Sequence, residues 1–307
     1  MSLNTFIGKL FSWRTKIQQK HFILLLSLLV GLASGVAVII IKNSVHFIKE
    51  LLTWGFVKEF HNYLFFIYPF IGLLLTNLFI KKVLKKPIGH GIPNSLFAIS
   101  KNNGVIKAYN MFASVIASSL TVGFGGSVGL EGPTVATNSA IGSNIARLFK
   151  LDYKTTTLLL GCGAAGAMSG IFNAPIAALV FVLEVFLFDL TLTSMIPFLM
   201  ASVSAALSSR MILGDNVLFE IRIQDAFVPS EFPFYILLGV FTGLISVYFN
   251  KMFWLIEGLF EKIKLQKYRL LIGGILLGTL IFFVPPLYGE GFETITALLK
   301  GDFKSVV

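Results

Sequence analysis

Residues 123–135 read GFGGSVGLEGPTV, with five glycines and one proline around a single carboxylate, Glu131. Glycine and proline are the residues least suited to a helix interior. Yet the flanks, MFASVIASSLTV (111–122) and TVATNSAIGSNIARLF, are helix-competent. Non-helical backbone at membrane depth is tolerated only where it is buried in protein or lines a wet cavity. A loop in water has no need of GFGGSVG ahead of a charge, and the small residues of 111–122 suit close helix approach rather than lipid. The stretch therefore reads as a broken helix inside a membrane protein.

Composition agrees. The chain has 307 residues, of which 55% are hydrophobic and 13% charged, and its mean hydropathy is +0.83. Soluble domains carry about 25% charged residues. The apolar runs 22–41, 63–80 and 270–288 approach the roughly 20 residues that cross a bilayer as a helix. The 28 glycines suit helices packed closely in lipid. A net charge of +10 does not point to nucleic acid, because the basic residues sit in loops beside apolar spans, as the positive-inside rule requires. The single cysteine, Cys162, rules out an internal disulfide and reads as a small buried residue within GCGAAGAMSG. The first apolar run is too long for a cleavable signal.

Lys9, Arg14, Lys16 and Lys20 precede the first span without an acid, which places the N-terminus in the cytoplasm. Lys81, Lys82, Lys85 and Lys86 follow the second span, so residues 22–80 form a hairpin that returns to the cytoplasm. An internal repeat follows from GLASGVAVIIIKNSVHFIKELL (31–52), which aligns without a gap on GVFTGLISVYFNKMFWLIEGLF (239–260). Gly31 and Gly35 fall on Gly239 and Gly243, and Ser34 on Thr242. The match resumes where PIGHGIP (87–93) resembles PLYGEGF (286–292). Lys262, Lys264, Lys267 and Arg269 favour the cytoplasm for the loop after the second copy's opening span. The equivalent loop of the first copy is external, so the copies are inverted, a transporter architecture. The expected organisation is a basic cytoplasmic segment 1–20, a first membrane repeat 21–213, a connecting loop 214–232, and the start of a second inverted repeat 233–307. A second copy as long as the first would run well beyond Val307, so the repeat is expected to be incomplete and the chain a fragment.

Three stretches interrupt the apolar pattern: GHGIPNS (89–95), GLEGP (129–133) and GIFNAP (170–175). In the first two, proline opens the following helix and leaves backbone N–H groups unpaired at its positive dipole end. Helix N-termini bind anions for that reason, and two of them suggest a dehydrated anion site. Ordinary loops with packing glycines are the alternative, weighted evenly for GIFNAP and less for GLEGP.

GHGIP, GLEGP and FNAPIAALVFVLE, in this order and spacing, resemble the CLC family of chloride channels and proton-coupled chloride transporters, whose patterns are GSGIP, GREGP and FNAPLAG. The resemblance covers roughly residues 20–300. It implies an all-α polytopic fold of two inverted halves with broken, re-entrant helices. It also implies a homodimer in the lipid bilayer, with one chloride pathway per subunit, chloride ions bound as substrate, no cofactor and no metal. It places the protein as a multi-pass component of the plasma (inner) membrane. Glu131 matches the family's gating glutamate, which occupies an anion site when ionised and swings away when protonated or displaced. The backbone around Leu130, Glu131 and Gly132 would supply donors to the outer site. His90 falls on the family's inner anion-coordinating serine, with Gly91 and Ile92 beside it.

The chain departs from the family pattern at four points. Leu130 replaces the arginine of GREGP. His90 replaces serine, bringing a group that titrates near neutrality; a helix-cap or interface histidine is the alternative role. Proton-coupled members carry an adjacent acidic pair after FNAP, whereas here the order is Glu184-Val185, the arrangement of channel members. That order favours channel-like conduction over exchange. A carboxylate in LVFVLEVFLF needs a partner or a water path, and a structural partner is expected for Glu184, with a proton relay as the alternative. Lastly, the family's later GxFxP terminus and a coordinating tyrosine have no counterpart here, which keeps a non-conducting truncated product in play. An enzyme reading arises as well, because GGSVG (125–129) fits the G-x-S-x-G nucleophile pattern. The four histidines, His21, His46, His61 and His90, all precede Ser127, against the hydrolase order. An intramembrane hydrolase, and an enzyme of any kind, is therefore not expected.

Overall fold

The structure is a computed structural model that describes residues 18–53, 61–89, 91–213 and 228–299. Eleven α-helices are found among these residues: α1 Gln19–Thr53, α2 His61–Leu78, α3 Gly91–Lys101, α4 Asn110–Gly123, α5 Glu131–Leu148, α6 Tyr153–Phe172, α7 Pro175–Val185, α8 Leu192–Leu213, α9 Phe232–Glu261, α10 Gln266–Phe283 and α11 Phe292–Leu299. Six of the described helical segments are long and apolar enough to cross a bilayer. The fold is thus the all-α polytopic architecture expected from composition. α1 has 35 residues and is about 52 Å long. That exceeds a hydrocarbon core of about 30 Å, so the helix must tilt or project. α2 continues into a π-helical segment, Phe79–Leu84, which closes on Lys85 in the left-handed region, a feature with no signal in the sequence.

α6 is the central element, packed by α1, α5, α7 and α8. Its GCGAAGA run is entirely buried, and Cys162 lies against the Ser27 hydroxyl of α1. Small residues let the backbones touch. A Cβ on Gly163 would run into the Asn138 carbonyl of α5, and one on Gly142 into the Leu159 carbonyl of α6. Gly31 and Gly35 of α1 meet Ala201, Ser204, Ala205 and Ser208 of α8 in the same way. Hydroxyls tie the helices further: Ser169 donates to the Ser202 carbonyl (2.7 Å) and Ser209 to the Gly170 carbonyl (3.1 Å). Such interhelical bonds matter where apolar burial itself distinguishes little between protein and lipid.

The second repeat follows the element order of the first. A long helix (α9), a return helix (α10) and a glycine break with positive φ at Gly291 precede a short helix (α11). α10 packs on α2, where Gly274 and Gly278 admit Phe70 and the Phe66 carbonyl. α9 behaves otherwise. No residue of it is buried. Gly239 and Gly243, counterparts of the tightly packed Gly31 and Gly35, would have no described residue within 4 Å of an added Cβ. The expected connecting loop 214–232 falls largely outside the described residues, as does most of the segment 1–20.

Gly163→Val should lower stability by about 1–3 kcal/mol or more, because the α5 backbone cannot yield to the added side chain. Leu28→Val, on an exposed part of α1, should stay within about 0.5 kcal/mol. Thermal unfolding of the two variants in detergent compares them.

Candidate functional site

α4 ends at Gly123, and the chain then turns tightly. The Gly125 amide donates to the Val122 carbonyl (2.9 Å) and the Gly126 amide to the Thr121 carbonyl (2.8 Å). Gly125 has φ +91, a conformation essentially restricted to glycine. Helix α5 begins at Glu131 itself. The Leu130 carbonyl accepts both the Thr134 amide (3.0 Å) and the Thr134 hydroxyl (2.6 Å), so the first turn is firmly closed. The amides of Glu131 and Gly132 precede that first bond and have no intrahelical partner, and Pro133 has no amide to offer. The break therefore presents two backbone donors at the positive end of α5.

Glu131 is half-buried. Its side chain folds back over the loop, so that a Cβ on Gly129 would collide with Oε2. Leu130, where the family motif has arginine, is 3% exposed and packs with Ile41, Val45 and Val122. The side chain at this position thus belongs to an apolar cluster rather than to the space around the carboxylate.

The second break meets the first. Gly91, with φ +23, opens α3, and a Cβ there would stand 3.1 Å from the Gly132 Cα, carbonyl carbon and carbonyl oxygen. The N-termini of α3 and α5 are therefore in backbone contact. No described residue comes within 4 Å of a would-be Cβ on Gly132. Ile92 is half-buried and packs against the central core. His90, the expected inner-site residue, lies outside the described residues. Of the expected site residues, the structure brings together Gly91, Gly132 and, next to Gly132 in the chain, Glu131.

At the third break α6 ends at Phe172, Asn173 adopts a left-handed conformation (φ 53), and Pro175 opens α7. GIFNAP is thus a junction between two packed helices. Its free carbonyls find a cation: Lys42 of α1 donates from Nζ to the Ile171 carbonyl (3.0 Å). Glu184 is exposed on the face of α7 that carries Ile176, Val180 and the following Leu187. The structural partner expected for it is not found, since no described residue makes a hydrogen bond or ion pair with it. Ser127 sits exposed in the loop before α5.

Sequence reasoning missed two residues at these breaks. One is Lys42, a charge at the margin of an apolar run that could have been read as a helix-end partner. The other is Tyr288, whose hydroxyl donates to the Gly123 carbonyl (3.1 Å) and whose ring covers Gly125.

Fold and site together define a multi-pass membrane protein built around apposed, broken helices. The sequence model of the voltage gated chloride channel family matches residues 71–307, and the chain belongs to that family, the CLC proteins. It is 30% identical over 298 residues to the H(+)/Cl(-) exchange transporter ClcA of Vibrio cholerae, covering 92% of this chain and 63% of that relative. The Arabidopsis thaliana chloride channel protein CLC-e is 26% identical over 298 residues, covering 89% of this chain and 41% of that relative. The structure of a slow cyanobacterial Cl-/H+ antiporter superimposes with a TM-score of 0.79 at 20% identity, covering 92% of this chain and 68% of that one. The chain thus spans less than two thirds of the length of these two sequence relatives.

Gly91→Ala should cost about 1–2 kcal/mol, because an L side chain is strained at positive φ and meets the Gly132 backbone. Gly132→Ala should leave stability within about 0.5 kcal/mol. Parallel thermal unfolding of the two variants provides the comparison.

Proposed function

We propose that the protein carries chloride or a similar small anion across a membrane, through a CLC-type pathway to which the apposed N-termini of α3 and α5 contribute, with Glu131 as its gate. The contact between Gly91 and Gly132 carries this reading. It directs two positive helix ends at one place, and an anion is the ligand such ends attract. The carboxylate of Glu131 is an internal mimic of that anion, held on the same helix end. Leu130, Gly132, Gly91 and Ile92 would supply backbone donors or lining, and His90 would stand at the inner site. Neither a cofactor nor a metal enters this reading. A homodimer with one pathway per protomer, in the plasma or inner membrane, belongs to the same proposal.

Two modes of transport are compatible with such a gate. The Glu184-Val185 order favours channel-like conduction. The names of relatives give that preference no support over exchange: one is a chloride channel protein, while others are an H(+)/Cl(-) exchange transporter and a Cl-/H+ antiporter. Proton-coupled exchange is therefore the second reading. With the full-length protein in liposomes, a chloride gradient should drive protons uphill if transport is coupled. No proton movement above that of protein-free vesicles is the channel outcome.

Glu131→Gln and Glu131→Ala remove the gate's charge. Either should raise anion flux at neutral pH and flatten its dependence on pH. Unaltered flux and pH dependence in both variants would show that Glu131 is not the gate. Gly132→Ala, sterically harmless to the fold, should reduce flux by placing a methyl group in the open space beside the α5 N-terminus.

A further inference from the structure

The turn that follows α10 contacts the gate loop from the other repeat, and its side chains have a role that the paired helix ends do not explain. Pro285–Leu287 forms a 3-10 turn, and the Tyr288 amide closes it on the Pro285 carbonyl (3.0 Å). Gly289 and Gly291, at φ +75 and +76, then reverse the chain around Glu290. From this rigid base Tyr288 reaches back to the first repeat. Its hydroxyl donates to the Gly123 carbonyl, the last of α4. Its ring lies over Gly125 so closely that any Cβ there would collide with it, and it meets Phe65 of α2 edge-on at 5.0 Å. The far side of the turn is anchored as well. Phe292 packs edge-on against Phe172 at 6.4 Å.

The geometry points to a clamp: Tyr288 is a positioning residue that holds the 124–130 loop and so aims the Glu131 carboxylate. The inference rests on the gate reading above. The loop between the clamp and Glu131 is only six residues from Gly125 to Leu130, and its glycine turn is fixed at the Tyr288 end. Loss of the phenol donor frees the α4 terminus and the glycine turn, and the carboxylate then competes less well with the anion for the α5 amides. The bond joins groups 165 residues apart, so the aim of a first-repeat gate is set by the second repeat.

The test uses the full-length protein in liposomes and measures the chloride concentration that half-saturates flux. Tyr288→Phe keeps the ring and removes only the donor. It should shift half-saturation about fivefold when Glu131 is present, the scale of one lost hydrogen bond, and should produce no shift in the Glu131→Gln background. Amide exchange at Gly125 and Gly126 should accelerate in Tyr288→Phe in detergent, a readout independent of transport. Unchanged exchange, or a flux change of equal factor in both backgrounds, overturns the clamp. A wild-type chloride dependence in Glu131→Gln alone overturns the gate reading, whatever Tyr288→Phe does.

Discussion

The distance between α5 and α6 governs the rest of the structure. α5 is the most polar of the long buried helices, and Thr134, Thr137, Asn138, Ser139 and Ser143 are all inside the protein. Lipid would not tolerate that face. It is tolerable because Gly142 and Gly163 let α5 and α6 approach until an added Cβ on either would meet a backbone carbonyl of the other. Some polar groups of α5 find partners in this packed interior, while the Thr137 and Ser139 hydroxyls and Asn138 Oδ1 have none among the described residues. Asn138 donates to the Thr134 carbonyl (2.9 Å), and Ser143 donates to the Gly104 carbonyl (2.6 Å) while accepting from the Ile106 amide (2.9 Å). A helix held this way can end inside the protein, and its N-terminus is where Glu131 begins.

A helix that ends at membrane depth must also account for its backbone groups. At two of the breaks, three carbonyls are taken up by different means. At Leu130 the next turn's threonine bonds the carbonyl twice, once through backbone and once through side chain. At Ile171 a lysine from α1 takes the carbonyl, a favourable place for a cation at the negative end of α6. At Gly123 a tyrosine from the second repeat does so. What is left at the α5 N-terminus, the Glu131 and Gly132 amides, is left by proline and by the geometry of a first turn. The site is a remainder: the donors that the fold has not used elsewhere.

Much of this is legible in the sequence. All three helix breaks fall where Gly and Pro clusters put them, and Glu131 is the first residue of α5, as a carboxylate just before Gly-Pro suggests. The burial of Cys162 follows from its small neighbours. The partners of the breaks are not legible. Lys42 and Ile171 are 129 residues apart, and no local pattern in either predicts the other. Glu184 shows a different limit. A carboxylate in an apolar run calls for a partner only if it faces inward, and the period of α7 turns this one outward with Ile176 and Val180. As sequence alone, Leu130 reads as a missing charge beside the gate. Its burial among Ile41, Val45 and Val122 shows that in this chain the position serves packing.

The two copies of the repeat separate what a small-residue pattern specifies from what it leaves open. G-x-x-[ST]-G occurs in α1 and again in α9. In α1 it is filled to the point of backbone contact by α8, and Ser34, fully buried, lies against Gly166 of α6. In α9 no described residue comes within 4 Å of an added Cβ on either glycine, and Thr242 turns its hydroxyl back to its own helix at the Leu238 carbonyl (2.9 Å). The two helices share the pattern, and among the described residues only the copy in α1 is filled by another small-residue helix. A glycine stripe therefore specifies how near a neighbour can come and not which neighbour comes. That is why the repeat can be identified from its glycines, while the contact that binds the second repeat to the gate loop comes from a tyrosine that the pattern does not contain.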